Sequence, residues 1–172
     1  MSEPTIQFEA EGLEANEIPH LEHAIRLAST ARDRGDQPFG AILVTPDGTV
    51  VEGLNSVETD GDPTRHAESN LVRAAVTALP REVVAASTLY TSTEPCAMCA
   101  GAIYWAGIPR VVFALGEDEL IRIVRVHNSA PTLALPSREV FGRGGRETTV
   151  IGPVALPAAA AVHEGFWTEE RT

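Results

Sequence analysis

Apolar positions recur at the helical period over residues 18–34, where Leu21, Ala24, Ile25, Leu27, Ala28 and Ala31 share one face and Gly35 offers a stop. Residues 39–45 (FGAILVT) form a short apolar run. Pro46-Asp47-Gly48 then carries turn chemistry, and residues 49–54 run back, which predicts a hairpin. Residues 55–65 (NSVETDGDPTR) are polar and hold Gly and Pro, so they are expected as a loop. A second amphipathic helix is predicted over 64–79, ended by Pro80. Residues 88–92 read as a strand, and Pro95 can open a helix over 96–105. Another strand follows over 110–114. The helix predicted over 117–127 has its acids first and Arg122 and Arg125 later, which suits the helix dipole. A weaker strand over 148–151 and a final helix over 157–167 complete the pattern.

The order is α-β-β-α-β-α-β-α-β-α. It predicts an α/β fold with a single mixed five-stranded sheet and helices on both faces. Residues 1–15 read as a flexible acidic N-terminal tail and residues 16–172 as a single domain. No internal repeat or interdomain linker interrupts the pattern.

Composition narrows the partners. The 172 residues are 44% hydrophobic and 22% charged, as in an ordinary soluble domain. Net charge is −11, and every basic residue is arginine. Phosphate attraction dominates nucleic-acid affinity, so this balance argues against a general nucleic-acid binder and against an anionic membrane surface. A small, weakly polar molecule fits better. The acidic N-terminal stretch lacks the apolar segment of a signal peptide, and no apolar run of about 18 residues predicts a membrane span. Two cysteines are too few for a disulfide framework, so reduced thiols in a cytoplasmic setting are expected.

Those two cysteines lie three positions apart in TSTEPCAMCAG. Cys96 and Cys99 could be small buried residues, since free cysteine is often buried, or a redox pair at a helix start. A third reading also uses Arg65-His66-Ala67-Glu68 upstream. His66 and the cysteines would start two helices separated by one strand, and that path can bring both helix N-termini to one end of the sheet. Helix N-termini stabilise thiolates. Two thiolates and a neutral imidazole suit Zn2+. A structural zinc site is closed by four protein ligands, and three leave a position for water, whose pKa zinc lowers toward about 7. His20, His23, His127 and His163 are far away in sequence, although folding could bring any of them close. Glu68 would project differently from His66 and could take the water's proton and pass it on. As a lone helical glutamate it would instead be a solvated surface charge.

HAE followed by PCAMC resembles the zinc-dependent cytidine-deaminase-like superfamily, whose nucleobase deaminases carry H-x-E and P-C-x-x-C with the Glu as acid and base. The resemblance extends over roughly residues 18–167. It implies a cytidine-deaminase-like α/β/α fold, zinc held by His66, Cys96 and Cys99, and Glu68 as the catalytic residue. The histidine ligand separates the chain from free cytidine deaminases that use three cysteines. The tight PCxxC separates it from riboflavin-pathway deaminases. PFGA and GAIYWAG look more like guanine deaminase and fungal-type cytosine deaminase than like the tRNA adenosine editors. The resemblance therefore implies hydrolytic deamination of a free nucleobase or small nucleoside. Guanine or a related aminopurine comes first, a cytosine-type base next, and tRNA editing is the competing branch. A non-catalytic zinc or thiol-redox protein is the reading outside the class.

The same resemblance assigns substrate contacts. Asn55 is similar to an Asn that binds the polar edge of the ring, although Asn also suits a turn there. The Ala67 N–H resembles a donor to a ring carbonyl or nitrogen. Phe39 and Trp105 could sandwich a base or be core residues. Segment 157–172 is expected to close the pocket, through Glu164 as a partner for an N–H and Phe166 or Trp167 as a cover, unless both aromatics simply pack inward. A homodimer is implied as well, with exchange of that segment between subunits as one form of it. Arg138, Arg143 and Arg146 could touch phosphate or be solvated.

Overall fold

The computed structural model describes residues 10–126 and 131–168. A single 3-10 turn, Ala15–Glu17, leads into α1 (Ile18–Asp33). There follow β1 (Gly40–Val44), β2 (Val50–Leu54), α2 (Val57–Asp60), α3 (Ala67–Ala78), α4 (Arg81–Val84), β3 (Thr88–Thr93) and α5 (Ala97–Ala106). The remainder is β4 (Arg110–Leu115), α6 (Glu117–Arg125), α7 (Ser137–Gly142), β5 (Thr149–Ile151) and α8 (Pro157–Ala161). The five strands form one mixed sheet in the order β2-β1-β3-β4-β5. β1 runs antiparallel to β2 and to β3, while β3, β4 and β5 are parallel.

The period of two along the strands sorts side chains to two cores. Ala41, Leu43 and Val111 join Leu71, Ala100, Ile103 and Phe141 under α3, α5 and α7. Ile42, Tyr90 and Val112 face Leu21, Ile25 and Leu27 of α1 and Ala159 of α8. Helices therefore cover both faces. Two glycines permit close approach. A Cβ on Gly40 would lie 2.3 Å from the Ala24 carbonyl of α1, and one on Gly53 would lie 2.4 Å from the Ala67 carbonyl of α3. Gly53 thus lets the start of α3, which carries His66 and Glu68, settle directly on β2.

The predicted order holds, with local differences. The loop expected over 55–65 contains α2. α3 begins at Ala67 rather than residue 64, because His66 is extended at φ −67°, ψ 155°. The short α4 and α7 have too few turns to show a period. The last helix stops at Ala161, after which bonds from His163 to Ala160, Glu164 to Ala161 and Phe166 to His163 tighten the chain into turns. The helix expected to reach His127 is described as far as Arg125, and His127 lies outside the described residues. Of the tail expected over 1–15, residues 10–15 are described. Ala10 and Leu13 pack on the α1-side core, and the Gly12 carbonyl accepts a bond from Arg110 at 3.1 Å.

Arg110 also pairs with buried Glu17, whose Oε1 accepts the Tyr90 hydroxyl at 2.7 Å. Burial opposes ionisation of Glu17. Bonds from Arg110, the Glu14 N–H and Tyr90 outweigh it and hold the carboxyl at about 2. A depressed folded pKa contributes stability above the unfolded value of about 4.5, lost as pH falls toward 2. Glu17→Gln should therefore cost about 2–3 kcal/mol at pH 7, and the gap to the wild type in urea unfolding should close between pH 4.5 and 2. A gap independent of pH would refute this account.

Two of the three clustered arginines hold the fold together. Arg138 donates to the carbonyls of Val150 and Gly152 and lies over Phe113, while Arg146 donates to the Tyr104 carbonyl and stacks on its ring. Arg143 is exposed.

Candidate active site

Three helix-start positions converge. His66 is the N-cap of α3, Cys96 is the N-cap of α5, and Cys99 lies in the first turn of α5. β3 lies between the two helices in sequence, and α3 packs against α5, as the helix–strand–helix path requires. His66 Nδ1 lies 3.5 Å from Cys96 Sγ and 3.7 Å from Cys99 Sγ. All three donor atoms fall within 4.8 Å of one another. A tetrahedral zinc with ordinary Zn–S and Zn–N lengths separates such ligand atoms by about 3.6 Å, so the donor set fits zinc. Among the described residues no fourth His, Cys or acidic side chain joins the group. His23 pairs with Glu52, His20 packs on Tyr90, and His163 stacks on Trp167.

The electrostatics are those of a buried cluster. The Cys99 thiol bond, and then the His66 ring, hold the Cys96 thiol well below its ordinary range. Its partner Cys99 is pushed up by that shared bond and by burial. Cys96 raises His66 above its usual value. Ser69 Oγ lies 3.4 Å from Cys99 Sγ.

Glu68 sits in the first turn of α3 and is only 5% exposed. It is not a solvated surface charge. Its Oε1 accepts the Thr91 hydroxyl from β3 at 2.7 Å. Burial pushes the carboxyl upward, with Cys96 adding to the effect, while the Thr91 bond and His66 oppose it. The side chain is therefore fixed next to the metal donors and inclined to hold a proton.

His66 and Cys96 line a cavity of about 420 Å³. Phe39 and Trp167 contribute aromatic wall, and α6 contributes Glu117, Leu120, Ile121 and Val124. A family model for the cytidine and deoxycytidylate deaminase zinc-binding region matches residues 15–115, which include all three donors and Glu68. The chain belongs to this deaminase family.

Its relatives act on different substrates. A probable cytosine deaminase of Schizosaccharomyces pombe is 39% identical over 90% of this chain and 94% of its own length. The guanine deaminase of Bacillus subtilis is 43% identical over 59% of this deaminase and 65% of its own length. The solved structure of a tRNA:A34 deaminase that performs A-to-I editing superposes with a TM-score of 0.65 at 27% identity, covering 84% of this chain and 99% of that one. The protein is thus a zinc-binding deaminase that hydrolyses a C–N bond. No helix among the described residues is long and apolar enough to cross a membrane.

The substrate contacts expected from the sequence divide. Phe39 and Trp167 reach the cavity. Phe166 is buried beside Trp167 and Val124. Asn55 is fully buried, its Oδ1 accepting the Val57 N–H and its Nδ2 facing Gln37 Oε1 at 3.5 Å. Ala67 is buried at the start of α3. Trp105 is 83% exposed and does not line the cavity, so it forms no sandwich with Phe39. The Glu164 side chain is exposed, and its carbonyl, with that of Val162, accepts from Arg32 of α1.

The sequence reading gave no site role to Thr91, Gln37 or Glu117, and considered His163 only as a histidine that folding could bring to the metal. Glu117 follows the carboxyl end of parallel β4, where ligands gather in such sheets, and that signal could have found it. His163 is buried, accepts the Trp167 indole N–H at 3.1 Å through Nδ1 and packs on Phe39, so it fixes the aromatic wall in place.

Proposed function

We propose that this deaminase acts on a free nucleobase, guanine or a related aminopurine or a cytosine-type base, and releases ammonia. The cavity carries the reading. It is large enough for one planar base, and its apolar walls include Phe39 and Trp167 of this same chain, next to His66 and Cys96. The near full-length likeness to a probable cytosine deaminase supports it, as does the net charge of −11, which opposes RNA phosphate.

Zinc held by His66, Cys96 and Cys99 supplies Lewis acidity and lowers the pKa of water toward about 7. Glu68 performs the proton transfers. Its carboxylate accepts a proton from the attacking water and delivers it to the ring nitrogen beside the amino-bearing carbon. It then takes the remaining proton from the added oxygen and gives it to the amine as the C–N bond breaks, so that nitrogen leaves as ammonia and the water oxygen stays on the ring as a carbonyl. Thr91 keeps the carboxyl aimed during these transfers.

The test is ammonia release by zinc-loaded protein from free bases, nucleosides and a tRNA anticodon stem-loop. Release from cytosine or guanine is the expected result. Release from the stem-loop alone would establish the editing reading, which the likeness to the tRNA:A34 deaminase favours.

A homodimer through α5 is also proposed, because Trp105 exposes 83% of its surface and Met98 of the same helix is exposed as well. Sedimentation should show a dimer that Trp105→Arg converts to monomer. A monomeric wild type would remove this proposal.

A further inference from the structure

Beyond the metal donors, the cavity wall holds three side chains with hydrogen-bonding groups not tied to its aromatics: Gln37, Glu117 and Thr132. Two already have partners. Gln37 Oε1 faces Asn55 Nδ2, and Thr132 Oγ1 accepts from Arg125 at 3.1 Å. The Glu117 Oε2 is buried and makes no hydrogen bond among the described residues.

Its surroundings explain why. Glu117 is the first residue of α6, and its backbone N–H is held at 3.1 Å by Oε2 of Glu94, two residues before Cys96. The other Glu94 oxygen accepts both the N–H and the hydroxyl of Ser137, at 2.9 and 2.7 Å. Glu94 is an acceptor already engaged and has no donor for a second carboxylate. The neighbouring α6 wall residues Leu120, Ile121 and Val124 are apolar and offer none. Burial, and then Glu94, push the Glu117 carboxyl up to about 7, well above an ordinary glutamate. An orphan buried oxygen is costly, and native structures retain few of them without a use.

We propose that the Glu117 carboxyl is a specificity-determining group that receives an N–H on the edge of the bound base. The side chain is anchored at its backbone and lines the same cavity as His66 and Cys96. Its terminal torsion is soft, so a small rotation presents either oxygen to the cavity. The ligand class that satisfies it is a planar ring with a ring N–H or an amino hydrogen beside it. A ring whose N–H is replaced by N–CH3 cannot satisfy it. The assignment rests on the free-base reading above.

The experiment measures binding by calorimetry to zinc-loaded Glu68→Gln protein, in which affinity is read without turnover. The probes are cytosine, guanine and each of their ring-N-methylated analogues. In the Glu68→Gln background, adding Glu117→Ala should weaken the base that binds by roughly 10–100-fold, the range of one hydrogen bond to a carboxyl group. Glu117→Gln keeps an acceptor oxygen and should restore part of that loss. One methylated analogue should bind weakly and equally with or without Glu117, and its methyl position names the N–H being read. Glu117→Ala should also unfold at the same temperature as its parent or higher, because it removes a carboxyl that lacks a partner. A merely structural role predicts a lower temperature and equal losses for every analogue, and that pattern overturns the proposal. Unchanged affinity of the parent base overturns it too. If no base binds, the free-base reading fails and this assignment with it. If a base binds as expected but wild-type enzyme releases no ammonia from it, the substrate reading fails while the Glu117 contact stands.

Discussion

Glu68→Gln should lower kcat by roughly 10²–10⁴-fold and leave one zinc per chain. The glutamine is nearly isosteric, and it can keep the bond that Glu68 Oε1 makes with the Thr91 hydroxyl. It leaves His66, Cys96 and Cys99 untouched. What it removes is the ability to take the two protons of the attacking water in turn and give one to the ring nitrogen and one to the amine. Neither nitrogen carries the developing charge at neutral pH without that proton. The loss should therefore appear in kcat and kcat/KM alike, with substrate affinity little changed. A Glu68→Gln enzyme that turned over at the wild-type rate would remove Glu68 from the mechanism. One that lost its zinc would make Glu68 a support for the metal rather than the acid and base. Thr91→Val gives a graded control. It removes the hydroxyl but not the carboxylate, so its effect on kcat should be smaller than that of Glu68→Gln.

The parts of the site readable in the sequence are those fixed by local chemistry. Pro95 opens a helix just before two cysteines three apart, and the same short segment supplies two donors. The hairpin was legible because Pro46-Asp47-Gly48 turns between two apolar runs, and Gly48 does adopt φ +85°. Parts set by register were not legible. Thr91 meets Glu68 only because β3 pairs with β1 in the register Ala41 with Thr91, a fact with no local trace. Trp105 was misplaced for a related reason. α5 is apolar nearly all round, so its period shows no face. Cys99, Ala100 and Ile103 turn inward, and Trp105, two residues beyond Ile103, lies about 200° around the helix. Glu164 was displaced when the chain tightened into turns after Ala161 and Arg32 took two of its carbonyls. The family pattern named the reaction, while the polar edge of the cavity required the packed structure.

Removing the metal should cost stability as well as activity. The cluster buries groups that are awkward together without a cation. Cys99 is fully buried, Glu68 nearly so, and Cys96 tends to ionise next to both. A metal bound only by the folded chain stabilises it by mass action, about 4 kcal/mol at a thousand times its dissociation constant. For a domain of this size each kcal/mol shifts Tm by about 2–4 °C, so stripping the zinc with a chelator should lower Tm by roughly 8–16 °C. Zinc added back should restore both Tm and turnover to the wild type. Cys99→Ala should already unfold near the stripped value, hold less than one zinc, and gain little from added metal. Affinity should also weaken in mild acid, because the ligands bind zinc only when deprotonated. If the stripped protein melted at the same temperature as the zinc-loaded one, the metal would be working on an already complete scaffold. If Cys99→Ala kept a full equivalent of zinc, the donor set named here would be wrong.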